Sequence, residues 1–87
     1  MIREEVYALI DGEREYQDRK WGGQEHDQQH PPEDFIVFIS GYVRSALQGV
    51  YEGTQDREFI LSCLRKIGAL AVAAMEVHGA PARAAQE

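Results

Sequence analysis

Three features of the sequence point to an all-α fold: two amphipathic helices and a widely apolar third, packing as a homo-oligomeric helical bundle. Apolar residues recur at spacings of three and four in three long segments, the mark of a helical face. Glycine and proline punctuate those segments at Gly22-Gly23, Pro31-Pro32, Gly53 and Gly79-Ala80-Pro81. The last segment is apolar around well over half of its circumference, so it must be covered on two sides.

The first helix is expected from Ile2 to about Lys20, with Gly12 as a tolerated interior glycine. At about 100° per residue, Ile2, Val6 and Leu9 form an apolar stripe that continues through Glu13, with Tyr16, Gln17 and Lys20 around it. Such a face either leaves the core in its last two turns or lines a pocket. From Gln24 to His30 the chain shows no periodicity and reads as an ordered loop, a candidate lid or pocket wall.

Pro31 or Pro32 opens the second helix, with Glu33 and Asp34 complementing its positive end. Phe35, Ile39, Val43, Ala46 and Val50 give it one apolar face to about Tyr51, with Phe38 and Tyr42 to one side. Gly41 and Gly49 signal either close packing, approach of a ligand, or simply loose propensity. Thr54 or Asp56 caps the third helix, which runs to about His78. Its polar remainder is narrow: Ser62, Arg65, Lys66, Ala69, Ala73 and Glu76. Two other helices cover only part of the apolar arc, so a second copy of the chain is expected to supply the rest. Residues 1–79 form one domain, and 80–87 a disordered tail.

The 87 residues exclude a second domain, and no apolar run approaches the roughly 18 residues of a membrane span. With no secretory signal at the N-terminus, a cytoplasmic setting is expected. Cys63 stands alone, which removes any intrachain disulfide or multi-cysteine zinc site. The formal net charge of −6 argues against a DNA or RNA duplex as partner. A small nucleotide-like anion is still admissible, held by a local cluster such as Arg14, Arg19 and Lys20.

The stretch from Glu13 to Asp27 concentrates the chemistry. Tyr16 or Trp21 offers a ring for stacking on a base, Arg14, Arg19 and Lys20 offer cations for phosphate, and Glu13 or Gln17 reads a base or ribose edge. The structural alternative pairs Glu13 with a cation of its own or another helix, sets Gln17 on loop backbone and uses Trp21 as a core plug. His26, Asp27 and His30 carry metal-ligating chemistry, but a four-residue spacing in a loop need not bring the rings together, and no metal site is assigned. No phosphate loop, nucleophile elbow or zinc-hydrolase motif is present, and no catalytic residue is assigned. Arg44, Arg65 and Lys66 lie on the exposed sides of their helices, where they are solvated or complete an anion site across an oligomer interface.

The run Glu13-Arg14-x-Tyr16-Gln17-Asp18-x-Lys20-Trp21-Gly22, followed by a His/Asp-bearing segment and an Ala-rich last helix ending near Glu76, resembles small phage and prophage proteins related to the MazG-like, all-α nucleoside triphosphate pyrophosphatases. The resemblance implies an oligomeric bundle with nucleotide between helices and magnesium on acidic motifs of two helices. This chain has Ser40-Gly41-Tyr42-Val43-Arg44 where the first acidic motif would fall, and Ser62, Arg65 and Lys66 where further acids are wanted. The expectation is therefore a chain that binds a nucleotide or nucleotide-derived signal without hydrolysing it and needs no cofactor, such as a phage sponge for a cyclic or modified nucleotide used in host defence. Its expected contacts are Glu13, Arg14, Tyr16, Gln17, Arg19, Lys20, Trp21, His26, Asp27 and Arg44. A pyrophosphatase with magnesium on unusual ligands, and a helical protein-interaction module, are the alternatives.

Overall fold

The computed structural model describes residues 1–53 and 56–86, and among them every regular element is a helix. Helix α1 spans Arg3–Trp21, α2 Gly23–Asp27, α3 Pro32–Glu52 and α4 Arg57–His78. Glu4 and Glu5 in the first turn of α1 and Arg19 and Lys20 in its last turn both suit the helix dipole. Gly22 ends α1 with φ 107°, and Gly23 follows with φ 70°, values that cost an L side chain strain. These two left-handed residues reverse the chain so abruptly that a new helical turn begins at once. The segment expected to be a loop is thus corrected to a short helix, continued by the Gln28 N–H donating to the Gln24 carbonyl at 2.9 Å. The sequence has no apolar period there because one and a half turns are too few to display one.

The proline start of α3 and its close at Gly53, φ 69°, fall where the sequence places them. At the start of α4, Asp56 Oδ1 accepts from the N–H groups of Glu58 and Phe59 at 3.0 and 3.3 Å. Thr54, the other candidate cap, lies outside the described residues. Beyond Gly79 no helix continues through Gln86, and Glu87 is likewise outside the described residues.

Helix α4 is the central element. Helices α1, α2 and α3 all pack on it, while α1 and α3 do not pack on each other, which leaves a cleft between them over α4. On the α3 side Phe35, Leu70 and Ala73 are buried, with Ile39, Tyr42 and Ala74 against them. Full burial of Phe35 and Leu70 contributes about 1.5–3 kcal/mol each. On the α1 side the Ile10 side chain crosses Gly68, where an added Cβ would stand 3.3 Å from its Cδ1.

Within the single chain, burial departs from the expected faces in three helices. In α4 the most buried residues are Ala69 and Ala73, assigned to the polar remainder, while Leu61 and Leu64 of the apolar arc are exposed. Helix crossings choose the smallest side chains, because these permit the closest approach. In α1 the stripe of Ile2, Val6 and Leu9 is exposed, and the buried positions are Arg14 and Gln17. In α3 Val43 and Val50 are exposed, and Tyr42 turns inward in their place.

Candidate functional site

The cleft between α1 and α3 holds a pocket of about 520 Å³. Leu70 and Ala73 of α4 form its base, Phe35, Phe38, Gly41, Tyr42 and Ser45 of α3 one wall, and Trp21, His26, Asp27, Gln17 and Arg14 of α1 and α2 the other. Positions 35, 38, 42 and 45 recur on one face of α3, so the aromatic wall follows from helical spacing. The double glycine brings Asp27 back beside Arg14, thirteen residues earlier in the chain.

Two kinds of surface meet here. The apolar wall is aromatic: Phe35 and Phe38 meet edge to face at 5.7 Å, and Phe38 meets His30 at 5.3 Å. Trp21 stacks near His26 at 6.4 Å, and His26 lies 4.9 Å from His30. Each histidine has an acid partner: His26 Nδ1 lies 3.0 Å from Asp27 Oδ1, and His30 Nδ1 lies 2.9 Å from Asp34 Oδ2.

The polar wall is centred on Arg14, which is only 6% exposed. Its guanidinium donates to Gln17 Oε1 at 2.9 Å, Asp18 Oδ1 at 2.9 Å, Asp27 Oδ2 at 3.3 Å and both carboxylate oxygens of Glu76 at 3.3 and 3.2 Å. Burial pushes the Arg14 pKa down, but the hydrogen bond and charge of Glu76, with the charges of Asp18 and Asp27, outweigh it and hold the pKa above its ordinary value. The guanidinium faces three carboxylates, of which Asp27 lines the pocket with it while Asp18 and Glu76, 46% and 45% exposed, lie toward solvent. Nearby, Arg65 Nε donates to Glu13 Oε1 at 2.8 Å and ties α4 to α1.

Of the expected contacts, the structure brings Arg14, Gln17, Trp21, His26 and Asp27 together in the pocket. Glu13 is paired with Arg65 beside it, as the structural alternative for this residue has it. Tyr16, Arg19 and Lys20 are exposed, the Lys20 ammonium lying 5.8 Å from the Tyr16 ring and 5.4 Å from the Trp21 ring. Arg44 borders a separate surface groove with Leu47, Gln48, Tyr51 and Glu52. Arg65 and Lys66 are half-buried rather than exposed, with Lys66 5.4 Å from the Tyr42 ring. The sequence reading missed Phe35, Phe38 and Tyr42 as pocket wall, having placed the first in the core and the others aside. It also missed Glu76, a charge on a helix face that an apolar count ignores.

Among the described residues no group of three or more His, Cys, Asp or Glu side chains is arranged to hold a metal ion. Glu13, Asp27, His26 and His30, the ligands that a pyrophosphatase would have to enlist, each face a protein partner instead. Among the described residues, no helix is long and apolar enough to cross a membrane.

No family model matches the chain, and neither the curated proteins nor the solved structures contain a significant match to it.

Proposed function

We propose that the chain binds a nucleotide or nucleotide-derived molecule in this pocket and does not hydrolyse it. The observation that carries the reading is the pairing of an aromatic wall, Trp21, Phe35, Phe38 and Tyr42, with a polar wall of Arg14, Gln17 and Asp27 around about 520 Å³. Ligand pockets typically enclose about 300–1,000 Å³ and combine apolar walls with a few fixed polar groups. Base stacking on aromatic side chains contributes about 1–3 kcal/mol per base, and the α3 wall presents the rings for it. In the phage setting that the resemblance implies, binding without turnover amounts to sequestration. Titration calorimetry against a panel of nucleosides, nucleotides and cyclic nucleotides tests the reading. Micromolar or tighter binding that falls at least tenfold in Phe38→Ala supports it, and absence of heat with the whole panel overturns it.

Self-association belongs to the same proposal. Monomers of this mass expose about 5,200 Å², whereas this chain exposes 6612 Å². The excess is more than the ~800 Å² that one partner contributes to a standard interface. Ile2, Val6, Leu9, Leu61 and Leu64 are the bare apolar side chains that a second copy would cover.

A further inference from the structure

The pocket's polar wall carries more information than its shape. Gln17 is 3% exposed, and its Oε1 is fixed toward Arg14, because a guanidinium can only donate. Its amide NH2 is therefore turned away from Arg14, and it has no hydrogen-bond partner among the described residues although the side chain lines the pocket. Asp27 lies on the same guanidinium. Each of its carboxylate oxygens accepts one bond, Oδ1 at His26 and Oδ2 at Arg14, and each retains capacity for a second. The wall thus presents one pair of unmet donors beside a carboxylate with unmet acceptor capacity.

Charge decides which part of a ligand enters. Among the described residues Arg14 is the only Arg or Lys lining the pocket, and of the three carboxylates on it Asp27 lines the pocket as well. A phosphate placed there would find the Arg14 guanidinium already engaged by carboxylates and would meet the buried Asp27 charge beside it, a repulsive arrangement. Lys20 is exposed and lies outside the lining, its ammonium 5.4 Å from the ring of the pocket residue Trp21.

We infer that the pocket selects a neutral, guanine-type base, read edge-on by Asp27 and Gln17, with any phosphate left outside at Lys20. A base of this class places a ring carbonyl beside a ring N–H and an exocyclic amine. The carbonyl accepts from the Gln17 amide, the two donors meet the Asp27 carboxylate, and the ring lies against the aromatic wall. Adenine can meet the Gln17 donor with a ring nitrogen and one Asp27 oxygen with its amine, but it has no ring N–H beside them, so half of Asp27 stays unmatched. A matched bidentate pair discriminates by about tenfold or more. This inference rests on the proposed nucleotide site and specifies its ligand and orientation.

Trp21 is the only tryptophan and lines the pocket, so its fluorescence reports binding directly. Titrations compare guanosine, guanosine monophosphate, adenosine, adenosine monophosphate and inorganic phosphate on the full chain. Guanosine is expected to bind at least tenfold more tightly than adenosine. The monophosphate should bind only a few-fold more tightly than guanosine, with that advantage gone in Lys20→Ala and inorganic phosphate not competing. Gln17→Met should lower guanosine affinity at least tenfold while helix content by circular dichroism is retained. Nucleotides binding where nucleosides do not, guanosine and adenosine binding alike, competition by phosphate, or persistence of the monophosphate advantage in Lys20→Ala would overturn the inference and leave the nucleotide site standing. Binding by none of the probes overturns the inference, and absence of heat with the wider nucleotide panel as well overturns the nucleotide site too.

Discussion

Replacing Arg14 by methionine should reveal how much of the fold rests on one guanidinium. Methionine keeps an apolar stem in the space of the arginine chain, so the change chiefly removes the charge and its hydrogen bonds. Stranding a buried partner in this way typically costs about 3–5 kcal/mol. Here the Asp27 carboxylate, 9% exposed, is the stranded charge and the buried Gln17 Oε1 also loses its donor, while Asp18 and Glu76, 46% and 45% exposed, can rehydrate. The expected loss is therefore about 2–4 kcal/mol, against a total stability of about 4–13 kcal/mol for a domain of this size. Tm should fall by about 10–25 °C. Urea unfolding followed by circular dichroism measures it, and the double variant Arg14→Met/Asp27→Asn supplies the control. Neutralising the stranded carboxylate should recover at least about 1 kcal/mol relative to additivity. The pH dependence has a defined sign: a raised arginine pKa gives stabilisation that is complete below the unfolded-state value and is lost only as pH rises through the folded one. The guanidinium therefore stays charged from about pH 6 to about pH 9. A loss under about 0.5 kcal/mol, or strict additivity of the two changes, would refute the view that Arg14 joins α1, α2 and α4.

Three further outcomes follow from the geometry. A Cβ at Gly41 would meet no atom within 4 Å, yet the residue lines the pocket, so Gly41→Ala should stabilise the helix by about 0.5–1 kcal/mol and Gly41→Leu should abolish ligand binding without unfolding the chain; chemical denaturation paired with the fluorescence titration separates the two effects. Gly22→Ala forces an L residue to φ 107° and should cost about 1–2 kcal/mol of stability, while also weakening ligand binding because the reversal carries His26 and Asp27; retention of full affinity would show that the turn does not set the site. In light scattering after size exclusion, the wild-type chain should run as a dimer or larger and Leu61→Glu/Leu64→Glu as a smaller species, and a wild-type monomer at high micromolar concentration would remove the self-association proposal.

The long helices and most of their ends were legible because each is marked twice, by apolar spacing and by a cap or glycine, as at Pro32, Asp56 and Gly79. Which face each helix buries was less legible. Apolar periodicity locates the side that avoids water, yet α1 turns Arg14 and Gln17 inward and leaves Ile2, Val6 and Leu9 bare. A helix crossing rewards small residues and satisfied polar groups as much as large apolar ones, and neither shows in a count of hydrophobic residues. The polar half of the pocket could be read because Arg14, Gln17 and Asp27 lie within one unusual stretch. The aromatic half could not, since Phe35, Phe38 and Tyr42 look like ordinary core positions until α1 and α3 are seen to stand apart over α4.

That separation also determines how variants in the site must be interpreted. Arg14 holds three helices together and at the same time determines the charge that a ligand meets. Loss of binding in an Arg14 variant therefore cannot distinguish a lost ligand contact from a loosened pocket. Gln17 and Gly41 can distinguish them. The space beside Gly41 is open, so changing it alters what the ligand touches and no protein contact, and a Gln17 variant, which also removes one acceptor from Arg14, is read beside its own measured stability. If binding follows Gln17 and Gly41 while stability follows Arg14, the guanidinium is a structural counter-ion and the ligand's own neutral edge supplies the specificity.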